Sequence, residues 1–227
     1  MSPSLPPAVT PIDALLGRGQ AVAAEEALHH LRRELTVQDA TVAINALLQR
    51  HPDWIPALAE LGRCMLQMRE HRAAFNVGAH IVQLDAADAR GVELQVVAME
   101  HEGAPASQVL PRRGGLAALQ PDSAPHQFML AITASRLGYY AEMHAALDTA
   151  LRLNPDLLLA RWAKFLTPRD KFFASRAEIE RYIADWDAGC AAFAARDLEA
   201  RALRPRIEGL LLAQCNFHIA YSGIDVT

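Results

Sequence analysis

The stretch Ala124–Leu157, APHQFMLAITASRLGYYAEMHAALDTALRLNPDL, decides how the whole chain reads. Two runs with apolar residues at helical spacing flank Leu137-Gly138, and the second closes in Leu153-Asn154-Pro155-Asp156. Glycine ends a helix because it enters the left-handed region without a Cβ penalty, and proline cannot continue one because it has no amide proton. The text is that of one helix-turn-helix unit.

The same ending recurs upstream. Pro52, Ala86, Pro121 and Pro155 lie 34, 35 and 34 residues apart, and the texts around the three prolines are HPDW, QPDS and NPDL. A period of about 34 residues with paired helices is the signature of tetratricopeptide repeats, and the chain resembles that family. In the unit that starts at Ile55 the resemblance is carried by Leu61-Gly62 and Ala74. In the unit that starts at Ala124 it is carried by Ala131, Gly138, Ala150 and Pro155. Small residues at those positions let the two helices touch and let each unit stack on the next, burying a core that one unit alone could not make. The expected architecture is therefore all-α, a right-handed α-solenoid. Its repeats occupy 12–157, with units at about 21–54, 55–88, 89–123 and 124–157. A leader over 1–11 precedes them, and a helical extension over 158–227 follows.

Composition agrees with helices. Of 227 residues 52% are hydrophobic and only 6% aromatic, and alanine and leucine dominate, which favours close-packed helices over sheets. A formal net charge of -4 gives no general attraction to phosphate backbones or anionic lipid, so neither nucleic acid nor a membrane surface is an expected partner. Cys64, Cys190 and Cys215 are odd in number and without CxxC spacing, which speaks against a disulfide framework and for a reducing compartment. The opening residues lack a basic segment followed by an apolar run, and no stretch reaches the roughly 18 apolar residues of a membrane span. The expectation is a soluble, cytoplasmic protein.

Taken in order, residues 1–11 carry four prolines and no helical period, so they read as a mobile leader. One or two helices follow before Leu35. Thr36 caps the next helix, which His51-Pro52-Asp53 closes, and helices over Trp54–Arg69 and Glu70–Leu84 repeat the theme. The unit over 89–123 is the poorest. Gly103 fits its turn, but Pro111 and Gly114-Gly115 would interrupt its second helix, which predicts a split or shortening between Leu110 and Gly115. Arg112-Arg113 would then lie on a loop, solvated or in contact with a ligand.

After Pro155 the register holds for LLLARWAKFLTP and is then lost. Thr167-Pro168-Arg169-Asp170 reads as a turn, Ser175-Arg176-Ala177-Glu178 as a capping box that opens a long helix, and a further helix is predicted near Ala200–Gln214. Asn154-Pro155-Asp156, Ala160-Arg161-Trp162, Phe173 to Ile179, and Asn216-Phe217-His218-Ile219-Ala220-Tyr221-Ser222-Gly223 come in an order that resembles bacterial relatives of the O-linked N-acetylglucosamine transferase and SPINDLY group. That resemblance covers about the last 75 residues and implies a connector toward two glycosyltransferase lobes. The chain stops at Thr227, where those lobes would begin, and offers no Gly-rich phosphate loop, so no transferase activity and no cofactor are expected. Animal members of that family line their superhelix with an asparagine before the first-helix Leu-Gly. Glu60, Leu94 and Met129 stand at those positions here, and that mode of peptide binding is not carried over.

Other chemistry is thin. Nine histidines invite a metal search, but His71, His80, His101 and His144 form no HxxxH pair with a nearby carboxylate, and no metal site is expected. Ser135, Ser175 and Ser222 lack a nucleophile elbow, and the three cysteines read as buried, inert thiols. Function is then expected from the surface that stacking creates. By the repeat register, the first helices present Arg63, Gln67, Glu93, His101, Phe128 and Arg136 to a concave groove. A peptide or partner protein would lie there, with Phe128 as an apolar anchor and the arginines pairing carboxylates. Two alternatives stay open: the substrate-recognition region of a nucleotide-sugar-dependent protein O-glycosyltransferase lacking its catalytic lobes, and a self-associating scaffold that pairs through an uncapped solenoid end.

Overall fold

The computed structural model describes residues 6–166 and 175–196, and every regular element among them is an α-helix. The order is α1 (Thr10–Gly17), α2 (Ala21–Glu34), α3 (Val37–Leu48), α4 (Ile55–Gln67), α5 (His71–Leu84), α6 (Ala89–His101), α7 (Ala106–Leu119), α8 (Ala124–Ser135), α9 (Tyr140–Leu153), α10 (Leu158–Leu166) and α11 (Arg176–Arg196). The chain divides into two compact units, Met1–Leu119 and Gln120–Thr227. Among the described residues both are built of packed helices, the α-solenoid class.

One turn recurs in four places. The amides of Gln20, Glu70, Ala104 and Tyr139 donate to the carbonyls of Leu15, Met65, Met99 and Ala134 at 2.9, 2.8, 2.9 and 3.1 Å. The residues before them, Gly19, Arg69, Gly103 and Gly138, have φ of 71°, 63°, 75° and 72°. A six-residue closure around a left-handed residue is the Schellman motif, which satisfies carbonyls that the helix end would otherwise leave bare. The opposite junctions use side chains instead. Asp85 Oδ1 accepts from the Ala87 amide at 2.9 Å and Asn154 Oδ1 from the Asp156 amide at 3.1 Å, while Thr36, Asp88 and Ser123 cap the helices that follow.

In the first unit, Val9, Ile12, Leu28, Ile44, Leu47 and Cys64 belong to one buried cluster drawn from α1 to α4. α1 begins at Thr10, inside the stretch expected as leader, and Val9 is fully buried in that cluster. The next layer is set by glycine. A Cβ on Gly78 would meet the Gly91 carbonyl oxygen at 2.6 Å, so α5 and α6 pack at backbone distance, while Gly62 of α4 makes room for the Leu94 side chain of α6, whose Cδ1 a Cβ would meet at 2.4 Å. Ala74, the expected small position, is fully buried there.

The expected break in the unit 89–123 does not occur: α7 runs unbroken through Pro111. The proline withdraws one amide, but Val109, Leu116 and Ala117 are buried on the same helix, and Gly114 and Gly115 face open space. Burial of that face outweighs one lost hydrogen bond. Arg112-Arg113 is accordingly no loop pair. Arg113 is 5% exposed and donates from Nη2 to Glu100 Oε2 at 2.6 Å, and Arg112 lies 5.8 Å over the Phe75 ring.

In the second unit α8 and α9 pack along their length, burying Ala131 and Ala134 of one and Ala146, Leu147 and Ala150 of the other. α10 buries Trp162, and Phe165 stacks on Trp186 of α11 at 4.6 Å. The Ser175 hydroxyl accepts from the Glu178 amide at 3.2 Å, which caps α11 at the predicted place. The predicted turn at Thr167–Asp170, the helix near Ala200–Gln214 and the segment Asn216–Gly223 lie outside the described residues.

Candidate partner-binding face

In the first unit, α2, α4 and α6 lie side by side and share one face. α4 lies between the other two, packing on each. The spacing Glu25, His29, Arg32 on α2 places three polar side chains along one side of the helix, one turn apart. α4 answers with Glu60, Arg63 and Gln67 at the same rhythm.

These side chains interlock. Arg63 Nη1 donates to Glu60 Oε1 at 2.5 Å, and His29 Nδ1 lies 3.1 Å from the same oxygen. Arg32 donates to Gln67 Oε1. From α6, Arg90 Nη1 reaches Glu25 Oε1 at 2.9 Å, and its Nη2 also donates to Asp88 Oδ2 at 2.6 Å. Glu60 is only 4% exposed, and Arg63 and His29 supply the polar partners that its buried carboxyl needs. The Arg90 hydrogen bonds hold the Asp88 carboxyl below its ordinary value, against the upward push of burial, and Asp88 in turn raises the Arg90 guanidinium.

The residues expected to line a groove are therefore not alike. Arg63 and Gln67 stand on this face but are engaged, by Glu60 and Arg32. Glu93 is half-buried on α6. His101 is exposed at the end of α6, and its ring stacks on that of His71, 4.9 Å away and within 5° of parallel. His71 Nδ1 is buried with no hydrogen-bond partner among the described residues. Phe128, half-buried, and Arg136, exposed at the C-cap, belong to α8 in the second unit.

Solved structures share the build of stacked helix pairs. A crystal structure of MamA protein superposes with a TM-score of 0.60 at 16% identity, over 79% of this chain and 97% of that one. A tetratricopeptide repeat protein from Parabacteroides merdae ATCC 43184 gives 0.53 at 13% identity, over 95% of this chain and 75% of that one. MamA 41-end from Desulfovibrio magneticus RS-1 gives 0.51 at 12%, over 93% and 99%. The fold is the tetratricopeptide fold. No family model and no curated protein matches the sequence.

In the tetratricopeptide register, Glu60 sits just before the first-helix Leu-Gly, and it is the buried centre of the polar face. Sequence reading found Arg63 and Gln67 but not Glu25, His29, Arg32, Asp88 or Arg90. The signal for α2 was present as the spacing 25, 29, 32, whereas Arg90 reaches Glu25 across 65 residues and leaves no local trace. One expectation on cysteine needs correcting. Cys64 is buried, but Cys190 is exposed on α11, with its thiol pushed up by desolvation and by the Asp187 carboxylate. Cys215 lies outside the described residues. Among the described residues no three metal-ligating side chains converge, and no helix is long and apolar enough to cross a membrane.

Proposed function

We propose that the chain is a protein-interaction module that holds a peptide or partner protein on the first-helix faces of its repeats. Arg63, Gln67, Glu93 and His101 serve in the first unit and Phe128 and Arg136 in the second. The observation that supports this most directly is the polar face of α2, α4 and α6, where three stacked helices present an ordered set of charged groups. Such a face recognises a partner by exchanging internal pairs for intermolecular ones. The reading needs no catalytic group and no cofactor. The net charge supports a protein rather than a nucleic acid as partner, and the cysteine pattern supports a cytoplasmic setting.

The test is capture by the immobilised full chain, with the bound proteins identified by mass spectrometry. Two paired variants, Arg63→Ala with Gln67→Ala and Phe128→Ala with Arg136→Ala, should lose bound partners. Val42→Ser, on an exposed part of α3, should not. Unchanged recovery with both paired variants would sink the assignment.

A second reading rests on the sequence order from Asn154-Pro155-Asp156 to Asn216–Gly223: the chain as the substrate-recognition region of a protein O-glycosyltransferase. Reading the coding sequence beyond Thr227 decides it, since α/β lobes either follow or do not. Self-association, the third reading, predicts a mass by light scattering that rises with concentration.

A further inference from the structure

We propose that the stacked imidazoles of His71 and His101 form an acid-sensitive catch between α5 and α6, closed while at most one ring is charged and opened when both are. The inference goes beyond the partner reading and does not rest on it, because the catch belongs to the free chain. His71 is the first residue of α5 and His101 the last of α6, so the stack ties the start of one helix to the end of the other.

The two rings have only each other. Their centroids lie 4.9 Å apart with planes within 5° of parallel, a spacing at which aromatic rings attract. His71 Nδ1 is buried without a hydrogen-bond partner among the described residues. His29, His30, His51 and His80 each have a carboxylate within 4.0 Å, whereas among the described residues neither His71 nor His101 has one. The charged side chains of the packed elements are committed elsewhere or solvated. Glu60 of α4 holds Arg63 and His29, Glu100 of α6 holds Arg113 of α7, and Arg112 lies over Phe75. Arg69, Glu70, Arg72 and Glu102, which flank the two rings in sequence, are exposed.

One proton suits this arrangement. An imidazolium stacks on a neutral ring, and His101 is exposed at a helix C-terminus, where the dipole favours a cation. Two protons do not. They would set like charges face to face with no anion to offset them, and the charge on His71 would stand at a helix N-terminus, which opposes it. The first turn of α5 is then pushed off the last turn of α6.

The experiment follows the histidine side chains of the labelled full chain by NMR as the pH falls from about 8 to about 4, which brackets the ordinary histidine range. Ring-nitrogen shifts report the charge on each imidazole, and a nuclear Overhauser effect between the rings reports the stack. The effect should persist while one ring is charged and be lost with the second proton. His101→Phe keeps an aromatic ring against His71 but removes one charge, so its stack should hold to a lower pH than that of the wild type. If acid unfolds the chain before the second proton binds, the same comparison decides, with His101→Phe unfolding at a lower pH. The proposal is overturned if the effect is absent near neutral pH, if it survives with both rings charged, or if wild type and His101→Phe lose it, or unfold, at the same pH. Should His101→Phe fail to fold, the wild-type series alone decides.

Discussion

Gly78 and Gly91 face each other where α5 crosses α6, and a Cβ on either would press into the carbonyl oxygen of the other, at 2.6 and 2.9 Å. Both sit inside helices, where alanine would ordinarily be favoured by about 1 kcal/mol. Steric conflict with backbone reverses that preference, because the obstructing atom cannot rotate away. Gly91→Ala is expected to destabilise the protein by about 2 kcal/mol, read as a lower urea midpoint. Gly62→Ala should cost less, since its nearest neighbour is the end of the Leu94 side chain.

Arg69 stands at the left-handed turn position that Gly19, Gly103 and Gly138 fill elsewhere, with φ of 63°. A Cβ there is strained by about 1–2 kcal/mol, and glycine repays part of that in unfolded-state entropy. Arg69→Gly should raise stability by about 0.5–1 kcal/mol, measured by chemical denaturation.

Pro111 is carried inside α7 at the cost of one helical hydrogen bond. Pro111→Ala restores the amide and should stabilise by about 1–3 kcal/mol in thermal unfolding. Glu100→Ala should act the other way, by about 3 kcal/mol, because it leaves the Arg113 charge buried without its carboxylate.

Asp88 couples the face to pH. Its folded value is held below the ordinary 3.8, so its contribution is fully present above that pH and fades as the pH falls through the lower, folded value. Asp88→Asn keeps an oxygen to cap the Arg90 amide but loses the ion pair. It should cost about 1–2 kcal/mol near neutral pH and nothing once the wild-type carboxyl is protonated, so urea midpoints of the two proteins converge in acid.

The sequence carried the fold because its punctuation is local. Pro-Asp endings at a fixed spacing, Gly103 and Gly138 at turns, and Ala74, Ala131 and Ala150 at contacts each act within a few residues of where they stand. What escaped it depends on distant partners. Gly78 and Gly91 look like helix-weakening residues until the two helices are crossed, and Pro111 looks like a breaker until the burial of Val109 and Leu116 is known. On the candidate face, Arg63 and Gln67 followed from the repeat register. Glu60, the partner of Arg63, is its i, i+3 neighbour on the same helix, whereas Arg32 beside Gln67 and the reach of Arg90 to Glu25 belong to the packing alone.

The Glu25–Arg90 contact also gives the first unit a mechanical property. α4 packs on both α2 and α6, and the ion pair from α2 to α6 spans it. Glu25 is 37% exposed and Arg90 30%, so dissolved salt screens the pair. The hold of α2 on α6 through this pair is therefore expected to weaken as ionic strength rises.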